Sequence, residues 1–382
     1  MIWSIINTII LMTILYLFYI KRDTFSIVNQ ITEEIPITEE FNIKYLDMTQ
    51  GEAPNFKVPI YTFNVPIIQQ TEIYIATGVK EQTYDVFGKH LKTLLPVEVQ
   101  NTSGTAENIE LISQKSVDFG ICQEDVAIDA REGNEPYTRK YKELEFICGL
   151  FYEYFILLVD SRKNIKTWQD LKGKKVGFSG VKSGSFQNGL KLARAAGLEP
   201  GNDFAYKNIN STNRLMNLLK NNELDAVYIT STTKNPYLIN ITKNLHIKVI
   251  GTNGISDEIV KTYFPHARKK YINTNTFQDV FQSTKFIQTF AIRAVLVTHR
   301  DNSTNNIYNI TKSIFSNVTS IKDNMDNHLY SQYRNNSLID AFIPSDMFDV
   351  HYKFPIHEGA KKYYNEIGYI KYEVENTSNS ME

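Results

Sequence analysis

The sequence predicts an α/β fold of two lobes standing behind one apolar N-terminal helix. Three observations lead there. Short β-rich runs alternate with helical stretches in two successive series, Gly/Ser/Thr clusters close strands in both series, and residues 2–20 carry no charge. Strand-helix-strand units of this length favour parallel pairing with right-handed crossovers.

The N-terminal stretch Ile2–Ile20 is nearly all apolar and about long enough to cross a bilayer core. No Lys or Arg precedes Lys21, and no Ala-x-Ala pattern follows, so the segment reads as an uncleaved anchor helix, residues 1–22, and not as a removed signal. Lys21 and Arg22 just after it would hold the body on the cytoplasmic side by the positive-inside rule. Residues 23–70 are polar and irregular, with Pro36, Pro54, Pro59 and Pro66, and read as a stalk.

The first series then begins. Glu72–Ala76 is a short strand ending at Thr77-Gly78. Tyr84, Phe87, Leu91 and Leu94-Leu95 follow at helical spacing until Pro96 stops them. Val97–Gln100 is the next strand, Asn101–Thr105 a loop, Ala106–Gln114 a helix and Val117–Ile121 a strand. Phe146–Val159 is apolar and β-rich. In the second series, Val176–Ser179 is a strand, the loop Gly180–Ser185 opens a helix, and Gly197 caps that helix. A helix from about Ser211 to Asn221 and strands at Leu224–Ile229 and 248–251 complete it. Phe286–Val297 is an apolar run able to return the chain to the first lobe. The expected division is therefore 71–160 for the first part of lobe 1, 161–285 for lobe 2, and 286–382 for the return to lobe 1 with C-terminal helices. Two mixed, mostly parallel sheets flanked by helices would face each other across a cleft.

A chain of 382 residues is too long for one compact core. Its composition, 42% hydrophobic and 22% charged, is that of an ordinary globular protein. Lys and Arg total 41 against 42 acids, so no overall positive field draws the chain to nucleic acid. Cys122 and Cys148 are too few for a disulfide scaffold, and their apolar neighbours make them buried core residues. The seven histidines are scattered, with no zinc-helix spacing. Neither a Gly-x-Ser-x-Gly elbow nor a Walker loop is present. No metal, no cofactor and no catalytic residue is expected.

Three strand ends share one chemistry: Thr77-Gly78 with Thr83-Tyr84, Thr102-Ser103-Gly104-Thr105 with Asn108, and Ser183-Gly184-Ser185. Small residues let backbone N–H groups approach a ligand, and a helix N-terminus adds partial positive charge. In open α/β sheets such loops converge on one crevice.

These motifs resemble those of the TAXI solute-binding proteins that serve TRAP-type transporters. The resemblance is carried in order by Ile75-Ala76-Thr77-Gly78 with Thr83-Tyr84, by Asn101–Asn108, by Asp118–Asp125, by Ile165–Gly177 with Ser183-Gly184-Ser185, by Leu224-Asp225-Ala226, and by His357–Gly368. It implies a type II periplasmic-binding-protein fold and a small organic anion or glutamate-like amino acid bound between the lobes. It also implies a membrane permease as partner and an extracytoplasmic body, which opposes the charge rule at Lys21-Arg22. Carried over, Thr77, Gly78, Thr83 and Tyr84 would line the first edge. Thr102, Ser103, Gly104, Thr105 and Asn108 would hold a carboxylate, with Gln123 and Asp125 near by. Ser183, Gly184 and Ser185 would close from the second lobe, with Tyr152 as an aromatic wall and Thr230 as a further contact. The chain departs from the pattern at Glu81-Gln82, where a Gly-Gly pair is usual. Glu81 would disfavour an anion there, and Lys182 would partly offset it. The same departures suit a different use, a membrane-anchored receptor or interaction protein without a transporter.

Overall fold

The computed structural model describes residues 43–45, 59–61, 72–233, 246–274, 284–330, 347–348 and 354–369. The expected anchor helix lies outside these residues; among the described residues, no helix is long and apolar enough to cross a membrane. Within the expected stalk, β1 (Ile43–Tyr45) pairs antiparallel with β2 (Pro59–Tyr61), two short runs containing the β-formers Ile and Tyr.

The body from residue 72 onward is organised by two long strands. β6 (Leu144–Asp160) has 17 residues and β12 (Phe286–His299) has 14. At about 3.3 Å per residue, β6 alone spans roughly 55 Å. Nearly every residue of both is buried, which accounts for continuous apolar runs in place of alternation. They pair antiparallel with each other from Ala291 opposite Tyr154 to His299 opposite Leu144.

On one side of this pair lie β3 (Ile73–Ala76), β4 (Val97–Gln100) and β5 (Phe119–Gln123). β3 is parallel to both β4 and β5, and β5 runs antiparallel to β12. On the other side lie β7 (Lys175–Phe178), β8 (Ala205–Asn208) and β9 (Ala226–Ser231). β7 is parallel to β8 and β9, and β9 runs antiparallel to β6. β10 (Ile247–Ile250) pairs with the end of β6, and β11 (Arg268–Asn273) with the start of β12. The order is β4-β3-β5-β12-β6-β9-β7-β8 in one ten-stranded sheet. The two mostly parallel sheets expected from the sequence are thus one mixed sheet. Strands as long as β6 and β12 run on through both halves, and their own pairings are all antiparallel.

Helices cover each half. α1 (Thr83–Leu94), α2 (Thr105–Ser113) and α3 (Glu124–Glu132) follow β3, β4 and β5. Phe87 and Leu91 of α1 are wholly buried against Ile75 and Ile121, the helical spacing doing what the sequence indicated. α4 (Gly184–Ala195) follows β7, and α5 (Thr212–Lys220) precedes β9. Gly197 takes φ +77° just past α4, the left-handed conformation that ends a helix without a Cβ penalty. α6 (Asp257–Tyr263) belongs to the second half. There Trp168 packs edge to face on Tyr228, ring centroids 5.5 Å apart, and Phe178 lies tilted against Tyr228 at 6.2 Å.

α7 (Thr304–Ser316), α8 (Val318–Tyr330) and α9 (Glu358–Glu366) follow β12. Ile307 and Ile310 of α7 and Tyr364 of α9 share the core of α1. Gly359 brings α9 against α7 so closely that a Cβ there would meet the Thr304 carbonyl oxygen at 2.4 Å. Cys122 and Cys148 are both buried, as their apolar surroundings indicated, and the structure leaves them unbonded; burial raises both thiol pKa values far above the usual range.

Candidate functional site

A cleft of about 290 Å³ opens between the two halves of the sheet. The strand-to-helix turns after β3, β4 and β7 all reach it, because the strands of the two halves run in opposite senses toward the middle of β6 and their carboxyl ends meet there. Gly78, Thr83, Tyr84, Ser103, Gly104, Thr105, Gln123, Ser183, Gly184, Ser185 and Thr230, of the residues named from the sequence, line it.

The N-termini of α1, α2 and α4 meet there, with the start of α5 (Thr212 and Asn213) at the rim. The N–H groups of Thr83 and Tyr84 in α1, of Thr105 in α2, and of Gly184 and Ser185 in α4 have no acceptor among the described residues. These are the donors that the first turn of a helix leaves unpaired. Other first-turn donors are taken. Gly104 N–H donates to Thr102 Oγ1 at 3.1 Å, and Phe186 N–H to the Ser183 cap at 3.1 Å. Ser103 N–H donates to the Glu107 carboxylate at 2.8 Å.

The halves touch across the cleft. Ala106 N–H of α2 donates to the Lys182 carbonyl at 3.1 Å, and Asn188 Nδ2 of α4 donates to Gln123 Oε1 at 2.9 Å. Two glycines permit this. A Cβ on Gly104 would lie 3.3 Å from the Ser183 backbone, and one on Gly184 would fall 2.0 Å from Gln123 Oε1. Lys191 pairs with Asp129 over the same junction. The arrangement is closed.

Five implied contacts stand behind the cleft and do not line it. Thr77 is fully buried, its hydroxyl donating to the Gln100 carbonyl at 3.2 Å. Thr102 donates to Asn108 Oδ1 at 2.6 Å, and Asn108 Nδ2 donates to the carbonyls of Thr77 at 2.6 Å and Ile121 at 2.7 Å. These three residues tie the ends of β3 and β5 to α2, since a buried polar side chain must find partners and the strand ends offer them. Asp125 sits in the first turn of α3, buried; loss of water, with the charges of Asp129 and Glu124 adding to it and Lys191 opposing, pushes its carboxyl up to about 7.

Tyr152 is not an aromatic wall. Its ring is buried beneath Lys270, whose Nζ is 4.5 Å from the ring centroid, and Arg268. The residue from β6 that lines the cleft is its neighbour Glu153. Along a strand successive side chains point to opposite faces, so a displacement of one residue exchanges core for cleft. Glu153 is only 6% exposed. Its Oε2 accepts from Tyr84 OH at 2.7 Å and Gln123 Nε2 at 3.2 Å. Oε1 accepts no hydrogen bond from the described residues. Burial, reinforced by the Asp125 charge and eased by those two hydrogen bonds, pushes the carboxyl up to about 7.

At the mouth, Glu81 lines the cleft with φ +67°, a left-handed conformation that suits glycine better than a residue with a Cβ. Lys182 does not face it; its Nζ lies 3.6 Å from Glu110. Lys80, exposed, is the one cation among the described lining residues, beside the carboxylates Glu81 and Glu153. Ser179, Asn210, Ser211, Thr212, Asn213 and Ser231 add hydroxyls and amides from the second half. A run rich in Asn, Ser and Thr was visible there, but a rim of α5 and a strand end could not be told from an ordinary capped helix. Among the described residues no cluster of His, Cys, Asp and Glu is placed to hold a metal.

The fold and cleft define an α/β protein of two halves about two long shared strands, with strand-to-helix turns facing each other. Residues 75–368 match the NMT1-like family, and the chain belongs to that family. Among solved structures, it is similar to the alkanesulfonate-binding protein SsuA from Xanthomonas axonopodis pv. citri bound to MOPS. That likeness has 12% identity and a TM-score of 0.40, and covers 67% of this chain and 78% of the other. An ancestral arginine-binding protein bound to arginine aligns at 16% identity with a TM-score of 0.43, covering 68% and 98%. The GluR0 ligand-binding core from Nostoc punctiforme in complex with L-glutamate aligns at 12% identity with a TM-score of 0.44, covering 68% and 99%.

Proposed function

We propose that this chain is a solute-binding protein that captures a small carboxylate-bearing solute between its two lobes. The observation that carries the reading is the meeting of three helix N-termini, with five unengaged N–H donors, at one closed cleft. Such donors, held out of bulk water and backed by helix dipoles, suit one carboxylate group. The serines and threonines around them are held in place: Ser185 Oγ accepts from Thr230 N–H at 2.8 Å, and Thr105 Oγ1 accepts from Gln123 N–H at 3.1 Å.

In this reading the solute enters between open lobes, and closure brings Ala106, Gln123, Lys182 and Asn188 into the contacts described above. The order of the motifs supports delivery to a TRAP-type permease of the TAXI kind, with the body extracytoplasmic and residues 2–20 as its anchor. A thermal-shift screen of the full-length chain against amino acids and small carboxylates tests the binding. A solute at about 100 times its Kd stabilises the native state by about 2.7 kcal/mol. A folded chain whose melting temperature moves with no member of the panel refutes the reading.

A further inference from the structure

We infer that Glu153 is the specificity residue of the cleft, receiving the ammonium group of an amino-acid zwitterion on its Oε1, and that dicarboxylates are excluded. This rests on the reading of the cleft as a solute site and deepens it. Glu153 is nine-tenths buried yet lines the cleft, and both protein donors that reach it go to Oε2. One oxygen is left for a solute, on a carboxylate already oriented by Tyr84 and Gln123.

The same two residues place that oxygen beside the helix N-termini. Tyr84 belongs to the first turn of α1, while Gln123 bonds to Thr105 of α2 and to Asn188 of α4. A negative group and a set of positive helix ends therefore adjoin each other. The carboxylate and ammonium of an α-amino acid, one carbon apart, match that pairing. Among the described lining residues a second carboxylate has no buried cation to meet: Lys80 is the one cation there and is exposed, while Glu81 at the mouth repels an anion.

Binding of a cation at Glu153 must also move a proton. With its carboxyl pushed up to about 7, Glu153 in the empty cleft is part protonated near neutrality, and an ammonium group favours the ionised form. The groups around it are Tyr84 of α1, Gln123 of β5, Asp125 of α3 and Tyr228 of β9. Beyond them lie the Glu124–Arg293 pair, Asp129 and Lys191 around Asp125, and Lys80 and Glu81 at the mouth. Of these, Asp125 shares the raised pKa but does not line the cleft, so the variant at Glu153 separates the two contributions.

Titration calorimetry on the full-length chain tests this. Each amino acid that binds is compared with its 2-hydroxy counterpart, L-alanine with L-lactate for instance, and with glutarate, in two buffers of different ionisation enthalpy. The inference expects the amino member to bind at least about tenfold tighter than the hydroxy acid and the dicarboxylate. It also expects proton release at pH 7, and loss of both effects in Glu153→Gln. The wild-type comparison and its proton count stand even if that variant does not fold. A hydroxy acid or glutarate bound as tightly as the amino acid, or proton uptake on binding, overturns the assignment to Glu153 and leaves solute binding intact. Binding of no member refutes the solute-site reading and this inference with it.

Discussion

Asn108 donates from one amide to the carbonyls of Thr77 and Ile121 and accepts from Thr102, with none of its surface exposed. Its place just after a Thr-Ser-Gly-Thr loop marked it as a ligand contact, yet its chemistry is consumed within the protein. Truncation would take the Nδ2 donor from both carbonyls, leaving Thr77 with Thr102 Oγ1 at 3.3 Å, and an unmet buried polar group costs about 1–3 kcal/mol. Asn108→Ala is accordingly expected to lose about 2–4 kcal/mol in denaturant unfolding, and a loss below about 1 kcal/mol would contradict this account. The same scale explains why Glu153 escaped sequence reading. Leu144–Asp160 is almost uniformly buried, so no alternation shows which side chain meets the cleft. The small residues of the turns were legible because Gly184 and Gly104 must admit the opposite half, a steric need that composition records.

Elements, more than single residues, decide how the halves are joined. β12 runs through both, and its Arg293 donates to both oxygens of Glu124 at the start of α3, at 2.6 and 3.2 Å. Both side chains are less than a tenth exposed. Breaking such a pair by removing one partner strands a buried charge and costs about 3–5 kcal/mol. Arg293→Met is expected to fall in that range by chemical denaturation, and the double variant with Glu124→Leu to recover more than half of the loss. Equal losses in the single and double variants would show that Arg293 stabilises by packing alone. The sequence marked Phe146–Val159 as β-rich and Phe286–Val297 as an apolar run returning the chain, and each falls within one of the two long strands. It did not announce that both run through one sheet, because pairing partners are set by register between segments more than a hundred residues apart.

At the scale of the whole molecule, two buried acids make stability depend on pH. Glu153 and Asp125 both have carboxyls pushed up to about 7, against ordinary values near 4 in the unfolded chain. Between those values the native state binds more protons than the unfolded one, so stability falls as pH rises. The contribution is fully present below about 4 and is lost as pH climbs through about 7, on the order of 4 kcal/mol per group at most. Melting temperatures measured without solute are expected to fall from pH 5.5 to pH 8, with Glu153→Gln and Asp125→Asn each flattening the slope. A melting temperature that holds steady or rises over that window in the wild type would refute it.

Local pattern by itself determined the α/β class, the alternation of strands and helices in two series, the caps, and the small-residue turns at the strand ends. Each of these depends on residues close together in the chain, where periodicity and turn chemistry act directly. The tertiary structure alone decided the joining of two halves into one sheet and the withdrawal of Thr77, Thr102 and Asn108 into the scaffold. It also decided the exchange of Tyr152 for Glu153 at the cleft. Those outcomes depend on which distant segment lies opposite and which face of a buried strand it covers, and a uniformly apolar strand carries no local mark of either.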